Sequence, residues 1–555
     1  MTVVAGIDVG NATTEVVIGR VAPGGVEHLA AGRTPTRRAK GSPESLRAAA
    51  GLVRRLQREH GVHVDHAYVA PLRPVQTVTG SLSEAPPDTG RLWVAGSGSR
   101  TAGGEGFGVG RPVRLGAASD GDDPVVVVVP AGIGYPTVVA ELAPLAAAGR
   151  LAAVLVDDDE GVLVANRLQA RVPVVDEFDG RRVLEAEQVA VEVTAGGRPM
   201  WTLNDPLKLA HVFALPESEV ADAARLSGTL FDTSNAVVAL GGAPARDHHE
   251  DGTIELTGRG PVPFLTGHLH VREGLIGAAT GYTLPPDRSL ILVDDLWTVD
   301  LGAIAESVHA RRGAVRDRPV ALAAMHSSIS STDPAGQLSE LLDIPVRVLA
   351  SEAEAARAGA LTTPGAASSA VVVDLGGGTI DAVSPASAAV AAGAGDLLTV
   401  SVAALTDVTP AAAEWVKRGP AHRVEAPQLL MAEDGSRAFL DQPASGDTVG
   451  SLVVRGPAGM LAFSRVMAPG EWRALRVRLK VDLVGGNVAR ALRTLGERPT
   501  TVVVVGGLAG DDEILAAVAG ALPPGTAVGR GDVGGVLGHR YSVAFGLVRL
   551  GTATT

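Results

Sequence analysis

The run Val371-Val372-Val373-Asp374-Leu375-Gly376-Gly377-Gly378-Thr379-Ile380-Asp381 decides the fold. It reads as an apolar strand, an aspartate at the strand end, a glycine turn, a threonine and a second strand. Three consecutive glycines weaken a strand pattern unless something must approach the backbone closely. A plain glycine hairpin would look the same, so the run alone leaves two readings. A second copy of the same grammar stands near the N-terminus, in Gly6-Ile7-Asp8-Val9-Gly10-Asn11-Ala12-Thr13-Thr14. There Gly10 permits close backbone approach, and Thr13 and Thr14 offer hydroxyls and N–H groups suited to a phosphate oxygen. Asp8, at the strand end, is placed to hold a magnesium ion through water. Two copies far apart in one chain are far more specific than either alone.

The rest of the chain narrows the classes. Its 555 residues suggest roughly 3–4 domains. Hydrophobic residues make up 46%, enough for large cores, but aromatics only 3%, so Val, Leu, Ala and Ile must fill them. The net charge of −13, without a basic stripe, argues against nucleic acid and anionic membranes. The absence of cysteine excludes disulfides, thiol catalysis and iron–sulfur clusters. The longest charge-free apolar stretch noted, Pro124 to Ala140, is too short for a membrane span and carries three prolines. No signal core precedes the first strand, and the expected setting is cytoplasmic. Arginine far outnumbers lysine, which is confined to Lys40, Lys208, Lys417 and Lys480.

Short β-branched strands alternate with helices such as Ser42 to Arg58, which favours a mainly parallel or mixed sheet. Two stretches, about 80–115 and 236–290, are rich in Gly with Ser, Arg, His or Pro and read as flexible crossings. The block between them reads as an insertion, giving residues 1–83, 84–233 and 234–555 as the expected parts. His268 and His270 alternate in what reads as a strand, and His248-His249-Glu250-Asp251 reads as a solvated loop. Gly103 to Gly110 mimics a dinucleotide fingerprint without the surrounding strand–turn–helix unit.

The duplicated hairpin resembles the phosphate clamp of the actin-like ATPase superfamily, whose two related domains grip a nucleotide in the cleft between them. That resemblance implies an α/β, two-lobed fold like that of heat-shock chaperone ATPases. Ser351 to Ala360 resembles the interdomain connecting helix, with Glu352 as the residue that orients the attacking water. Glu354 is expected to face solvent. Thr501 to Val505, followed by Gly506-Gly507, resembles the adenosine motif, and Arg540 to Leu547 the second connecting helix, with small residues for close packing. Together these imply Asp8, Glu352 and Asp374 as catalytic residues. Gly10, Asn11, Ala12, Thr13, Thr14, Gly376, Gly377, Gly378, Thr379, Gly506 and Gly507 are the implied ATP/ADP contacts. No lysine lies near either hairpin in the sequence, which argues for slow hydrolysis.

Further motifs narrow the resemblance. They are Val162 to Leu168 with Val172 to Glu177, Thr101 with Gly103 to Gly110, Ala360 to Gly365, and Gly393 to Asp396. In order along nearly the whole chain, they resemble the large subunit of diol and glycerol dehydratase reactivases, with the inserted block as the swivelling domain. The resemblance implies an ATP-dependent, chaperone-like factor that releases damaged cobalamin from an inactivated adenosylcobalamin-dependent dehydratase. Its implied partners are a reactivase small subunit, in an alpha2beta2 assembly, and the dehydratase. A bacterial microcompartment is the implied association. It also implies a divalent metal, Mg2+ or Ca2+, at the subunit contact, with Thr101, Asp159 and Asp176 as matching ligands. A small-molecule kinase of the same fold and a nucleotide-switched scaffold or filament stay open as alternatives.

Overall fold

The computed structural model describes residues 2–22, 25–72, 75–82, 89–98, 104–117, 121–168, 170–194, 198–230, 233–242, 252–285, 289–308, 318–327 and 333–553. The chain divides into two compact units. One comprises Met1–Leu82, Asp251–Ala310 and Pro319–Thr555; the other comprises Ser83–Glu250 with Arg311–Arg318.

In the larger unit, two five-stranded sheets repeat one plan. In the first, Val3–Val9 and Thr13–Ala22 form an antiparallel hairpin and Gly25–Pro35 extends it. On the other side, His66–Val69 and then Val346–Val348 add in parallel. In the second, Val371–Leu375 and Thr379–Val383 form the hairpin and Ala388–Ala392 extends it. Thr501–Val505 and Ala527–Arg530 add in parallel. The unbroken valine runs follow from this arrangement: Val371–Leu375 is buried along its whole length, as a central strand covered on both faces must be. The duplicated plan is that of the actin-like fold.

Helix boundaries follow local chemistry. Pro43–His60 starts on Ser42, whose side chain accepts from Ser45 N, and ends on Gly61 at φ 62°. It covers the first sheet with Leu46, Ala49, Ala50, Val53 and Leu56. Glu352–Ala360 begins with a capping box in which Ser351 and Glu354 satisfy each other's backbone N–H groups. Glu354 is therefore a structural residue. The last helix, Ser542–Ala553, crosses Glu352–Ala360 with backbones in contact. A Cβ on Gly359 would fall on the Ser542 carbonyl, one on Gly546 on the Ala355 carbonyl, and one on Gly6 on the Ala544 carbonyl.

Two insertions complete this unit. One is a six-stranded sheet running from Gly260–Pro263 at one edge to Val75–Leu82 at the other. The second is a five-stranded antiparallel sheet built from His422–Ala426 and its neighbours. Two of the five tryptophans, Trp297 and Trp472, are fully buried in the core of this unit.

The smaller unit carries a seven-stranded mixed sheet whose Val125–Val129 strand lies between Gly106–Arg114 and Leu151–Val156. Asn235–Leu240 pairs with both Gln188–Val193 and Leu92–Gly98, so it belongs to this sheet and the second boundary lies beyond the expected residue 233. Among the described residues, the glycine-rich stretch 80–115 is mostly strand, and 236–290 is divided among short strands and the helix Phe264–Glu273, so neither is simply a crossing. Their glycines mark close strand approach: a Cβ on Gly108 would fall on the Ala152 carbonyl. His268 and His270 lie on a helix, Phe264–Glu273, with His268 buried and its Nδ1 bonded to Thr298 Oγ1 at 2.8 Å. Residues 243–251, with His248 to Asp251, lie outside the described residues. Among the described residues, no helix is long and apolar enough to cross a membrane.

Candidate functional site

The two hairpins open on one cleft of about 1230 Å³ in the larger unit. Their turns share one geometry: Gly10 N donates to Thr13 O at 3.0 Å, and Gly376 N donates to Thr379 O at 3.0 Å. The tips meet. A Cβ on Gly377 would stand 2.9 Å from Ala12 Cβ, and one on Gly378 would strike Asn11 Nδ2. Only glycine fits there, which is why the triple glycine interrupts the strand pattern. The backbone N–H groups of Asn11, Ala12, Gly377 and Gly378 have no acceptor among the described residues. Four unpaired donors at one cleft floor form a ready anion cradle.

Each turn is braced from behind. Thr36 donates its N–H to Ala12 O at 3.0 Å and its hydroxyl to Gly10 O at 2.8 Å. Asp396 N donates to Gly377 O at 2.8 Å, and Gly393 N to Gly378 O at 2.7 Å. Thr14 was expected to face the nucleotide. It is instead fully buried, with its hydroxyl 3.0 Å from Thr36 Oγ1, so it positions the first turn from the rear. Strand alternation explains the difference, because Thr13 and Thr14 point to opposite faces.

Asp8, Glu352, Asp374 and Asp381 all line the cleft. Asp374 and Asp381 face each other across the second hairpin. Burial pushes the Asp374 carboxyl up to about 7, against the hydrogen bond it accepts from Ser542 Oγ at 2.8 Å. Burial also raises Asp8 and Asp381 well above the usual carboxylate range, and the charge of Glu352 adds to both shifts. Asp381 Oδ1 is buried without a hydrogen-bond partner. Carboxylate oxygens are the ligand type that a hard divalent cation such as Mg2+ takes, but these side chains are not arranged to hold one by themselves, so phosphate oxygens or water would have to complete the set.

The cleft does contain lysine, contrary to the sequence expectation. Lys40 Nζ bonds both oxygens of Glu352, at 3.0 and 2.8 Å, and its side chain is 5% exposed. Burial works against its charge, but Glu352 and Asp8 hold it above the ordinary lysine value. Lys417 also lines the cleft, donating to Gly395 O at 3.0 Å and Thr399 Oγ1 at 2.7 Å. Lys480 binds Asp511 at 2.6 Å and Glu513 at 2.7 Å. Three of the four lysines are thus buried with defined partners. In a chain that otherwise uses arginine, lysine persists where a compact ammonium must fit. That usage was the available signal.

Gly506 and Gly507 line the far end of the cleft. Gly506 sits at φ 91°, and a Cβ there would strike Asp374 Oδ1, so the turn requires glycine. His539 Nδ1 lies 2.9 Å from Gly506 O, and Arg540 reaches both Gly507 O, at 3.3 Å, and Glu15, at 3.2 Å. Glu15 also accepts from Tyr541 N at 2.9 Å, tying the first hairpin to the start of the last helix.

In the smaller unit, Asp176 Oδ2 is buried without a partner. Burial raises the Asp176 carboxyl, and the nearby charge of Asp159 adds to that shift. The two carboxylates are thus electrostatically coupled, whereas Thr101 lies outside the described residues. Among the described residues, no group of three acidic, His or Cys side chains is arranged to hold a metal by itself.

Residues 285–551 match the sequence model of the diol dehydratase reactivase ATPase-like domain, and residues 93–243 match that of the swiveling domain of the reactivating factor. The chain is 28% identical to the propanediol dehydratase-reactivating factor large subunit of Citrobacter freundii, over 99% of this chain and 98% of that one. It is equally similar, at 28% with the same coverage, to the diol dehydratase-reactivating factor large subunit of Klebsiella michiganensis. Among solved structures, the nucleotide-free diol dehydratase-reactivating factor superposes with a TM-score of 0.67 at 25% identity, covering 100% of both chains. A glycerol dehydratase reactivase gives the same TM-score of 0.67 at 24% identity, covering 99% of this chain and 100% of that one. The two matched domains span most of the chain, and the chain belongs to the diol dehydratase reactivase family.

Proposed function

We propose that this member of the reactivase family is the large, nucleotide-driven subunit of a factor that restores an inactivated adenosylcobalamin-dependent diol or glycerol dehydratase. It releases the damaged cobalamin so that intact coenzyme can rebind. The observation that carries this reading is the full-length, collinear match to large subunits of reactivating factors, joined to a cleft built for a phosphate-bearing ligand. The names of those relatives support a small-subunit partner and a dehydratase client, and the resemblance supports an alpha2beta2 assembly.

In this reading ATP lies with its phosphates over the N–H groups of Asn11, Ala12, Gly377 and Gly378 and its base toward Gly506, Gly507 and Arg540. Gly10, Thr13, Gly376 and Thr379 shape the two turns. Asp8, Asp374 and Asp381 would hold Mg2+, which when bound neutralises charge on the phosphates. Glu352, fixed by Lys40, orients a water for in-line attack on the γ-phosphorus. The bond from the γ-phosphorus to the β,γ-bridging oxygen breaks as the bond to water forms, giving ADP, phosphate and a proton. Lys40 holds the Glu352 carboxylate in place by bonding both of its oxygens. Nucleotide state then biases two conformations with different affinity for the client, as coupling between sites requires. Asp159 and Asp176, with a ligand from the small subunit, would hold a bridging divalent metal.

The testing experiment is a reactivation assay. A glycerol-inactivated diol dehydratase is mixed with this chain, its small partner, ATP, Mg2+ and fresh adenosylcobalamin, and released cobalamin and regained activity are followed. Recovery that needs ATP and both subunits is expected. No recovery with intact nucleotide binding overturns the client assignment.

A further inference from the structure

Beside the nucleotide cleft lies a second cavity, of about 380 Å³, whose lining includes Thr34, Arg37, Arg47, Gly51, Leu52 and Arg55. Thr34 lines both cavities. The chain is acidic overall, yet residues 33–58 carry eight of its 48 basic residues and one acidic residue, Glu44. Of these, Arg37, Arg47 and Arg55 line the groove, with Glu44 as its one acidic lining residue.

The groove follows the helix Pro43–His60. Arg47, Gly51 and Arg55 stand four residues apart and so share one face. A Cβ on Gly51 would meet nothing within 4 Å, which leaves a bare notch between two arginines, above Leu52. The arginines are poorly neutralised. Arg47 approaches Glu44 only to 3.6 Å with 62% of its side chain exposed, and Arg55 approaches Glu59 only to 3.9 Å with 48% exposed. Arg37 has no side-chain partner among the described residues.

This groove abuts the loop that serves the nucleotide site. Thr36 braces the first phosphate turn, Arg37 lines the groove, and Lys40 grips Glu352. Between them, Arg38 holds a left-handed backbone at φ 61°, unusual for a non-glycine residue and a feature that clusters at functional sites. Ser42 closes the loop by donating to Arg37 O at 3.3 Å while capping the helix.

We propose that this arginine groove docks an acidic segment of a partner protein. Two guanidiniums two helical turns apart and a third on the loop before the helix, on a floor that includes the apolar Leu52, suit spaced carboxylates of a peptide better than one compact anion. A segment seated on Arg37 pulls on the loop that positions Thr36 and Lys40, so docking alters nucleotide affinity. That consequence rests on the nucleotide reading of the cleft; the docking itself does not.

The test uses the full-length chain and a fluorescein-labelled hexaglutamate peptide, with binding read by anisotropy at low salt. Wild type is expected to bind, with affinity falling at least tenfold at 0.5 M salt. The charge reversal R47E/R55E is expected to weaken binding at least tenfold. So is G51L, which leaves every charge in place and fills the notch; its helix position tolerates leucine. Arg181→Glu, on the smaller unit, serves as the control and is expected to bind normally. Circular dichroism melting confirms that each variant is folded. Saturating peptide is further expected to shift the affinity of a fluorescent ADP analogue at least threefold in wild type and not in G51L. Absent wild-type binding, or equal binding by all variants, overturns the proposal. Displacement by inorganic pyrophosphate at concentrations as low as the peptide's also overturns it, because the groove is then a small-anion site. Failure of the ADP analogue to bind while the peptide binds refutes the nucleotide reading and leaves the docking standing.

Discussion

Replacing Lys40 with methionine tests the cleft's electrostatics directly. Methionine keeps most of the buried aliphatic volume and removes only the ammonium. At the observed 2.8 Å, and with an effective dielectric of about 20, the pair attracts by ~6 kcal/mol. Desolvating a side chain that is only 5% exposed takes back several kcal/mol, because the ammonium gives up its water. Losing the cation also leaves Glu352 unscreened among the buried Asp8, Asp374 and Asp381. The net loss should be about 3 kcal/mol at neutral pH in the nucleotide-free protein, in line with broken buried pairs. ATP turnover should fall about a hundredfold or more, as for loss of a group that orients the reacting water. The assay pairs phosphate release with thermal melting and nucleotide affinity. The double variant K40M/E352Q separates the pair from its surroundings, and its stability should lie above that of K40M alone. Turnover within twofold of wild type, with an unchanged melting temperature, would refute the reasoning.

Four further outcomes are expected. Asp374→Ala should abolish ATP hydrolysis and leave the fold intact, as phosphate release and circular dichroism will check. Gly546→Ala should destabilise by roughly 1–3 kcal/mol despite the better helix propensity of alanine, because its methyl group would fall on the Ala355 carbonyl; calorimetry reads this. Glu513 should add acid-sensitive stability. Burial acts against its charge, but Arg476 and Lys480 hold its carboxyl down to about 2 from 4.5. Its folded pKa is depressed, so the contribution is present above about pH 4.5 and fades as pH falls toward 2. Glu513→Gln should flatten that acid limb in pH-dependent melting. Asp176→Ala should weaken small-subunit binding more than nucleotide binding, measured by titration calorimetry with Mg2+ present.

The duplicated hairpins were legible because glycine breaks a valine run only where a neighbour leaves no room, and here Ala12 and Asn11 are those neighbours. The connecting helices were legible through small residues at a crossing. Lys40 was not, because its partner stands 312 residues away and no local pattern links them. His268 misled for a different reason. The alternation His268, Leu269, His270 suggests a strand, while Phe264, Gly267, His268 and Val271 carry the longer helical spacing and are the buried residues. Thr14 was read by type, whereas its orientation depends on strand parity. The stretches taken as crossings failed because glycine frequency does not distinguish a loop from strands pressed close together.

The crossing of Glu352–Ala360 and Ser542–Ala553 has a mechanical meaning. Ordinary helix pairs mesh side chains like gear teeth, and turning one against the other means climbing over them. At this crossing main-chain oxygens occupy the places of missing methyl groups, so the surfaces are smooth where they touch. The two helices therefore approach more closely than meshed side chains allow, and an added methyl group at Gly359 or Gly546 would force them apart. Glu352 opens one of these helices and Ser542, which donates to Asp374, opens the other, so the closeness of the crossing sets the spacing between two carboxylates of the cleft.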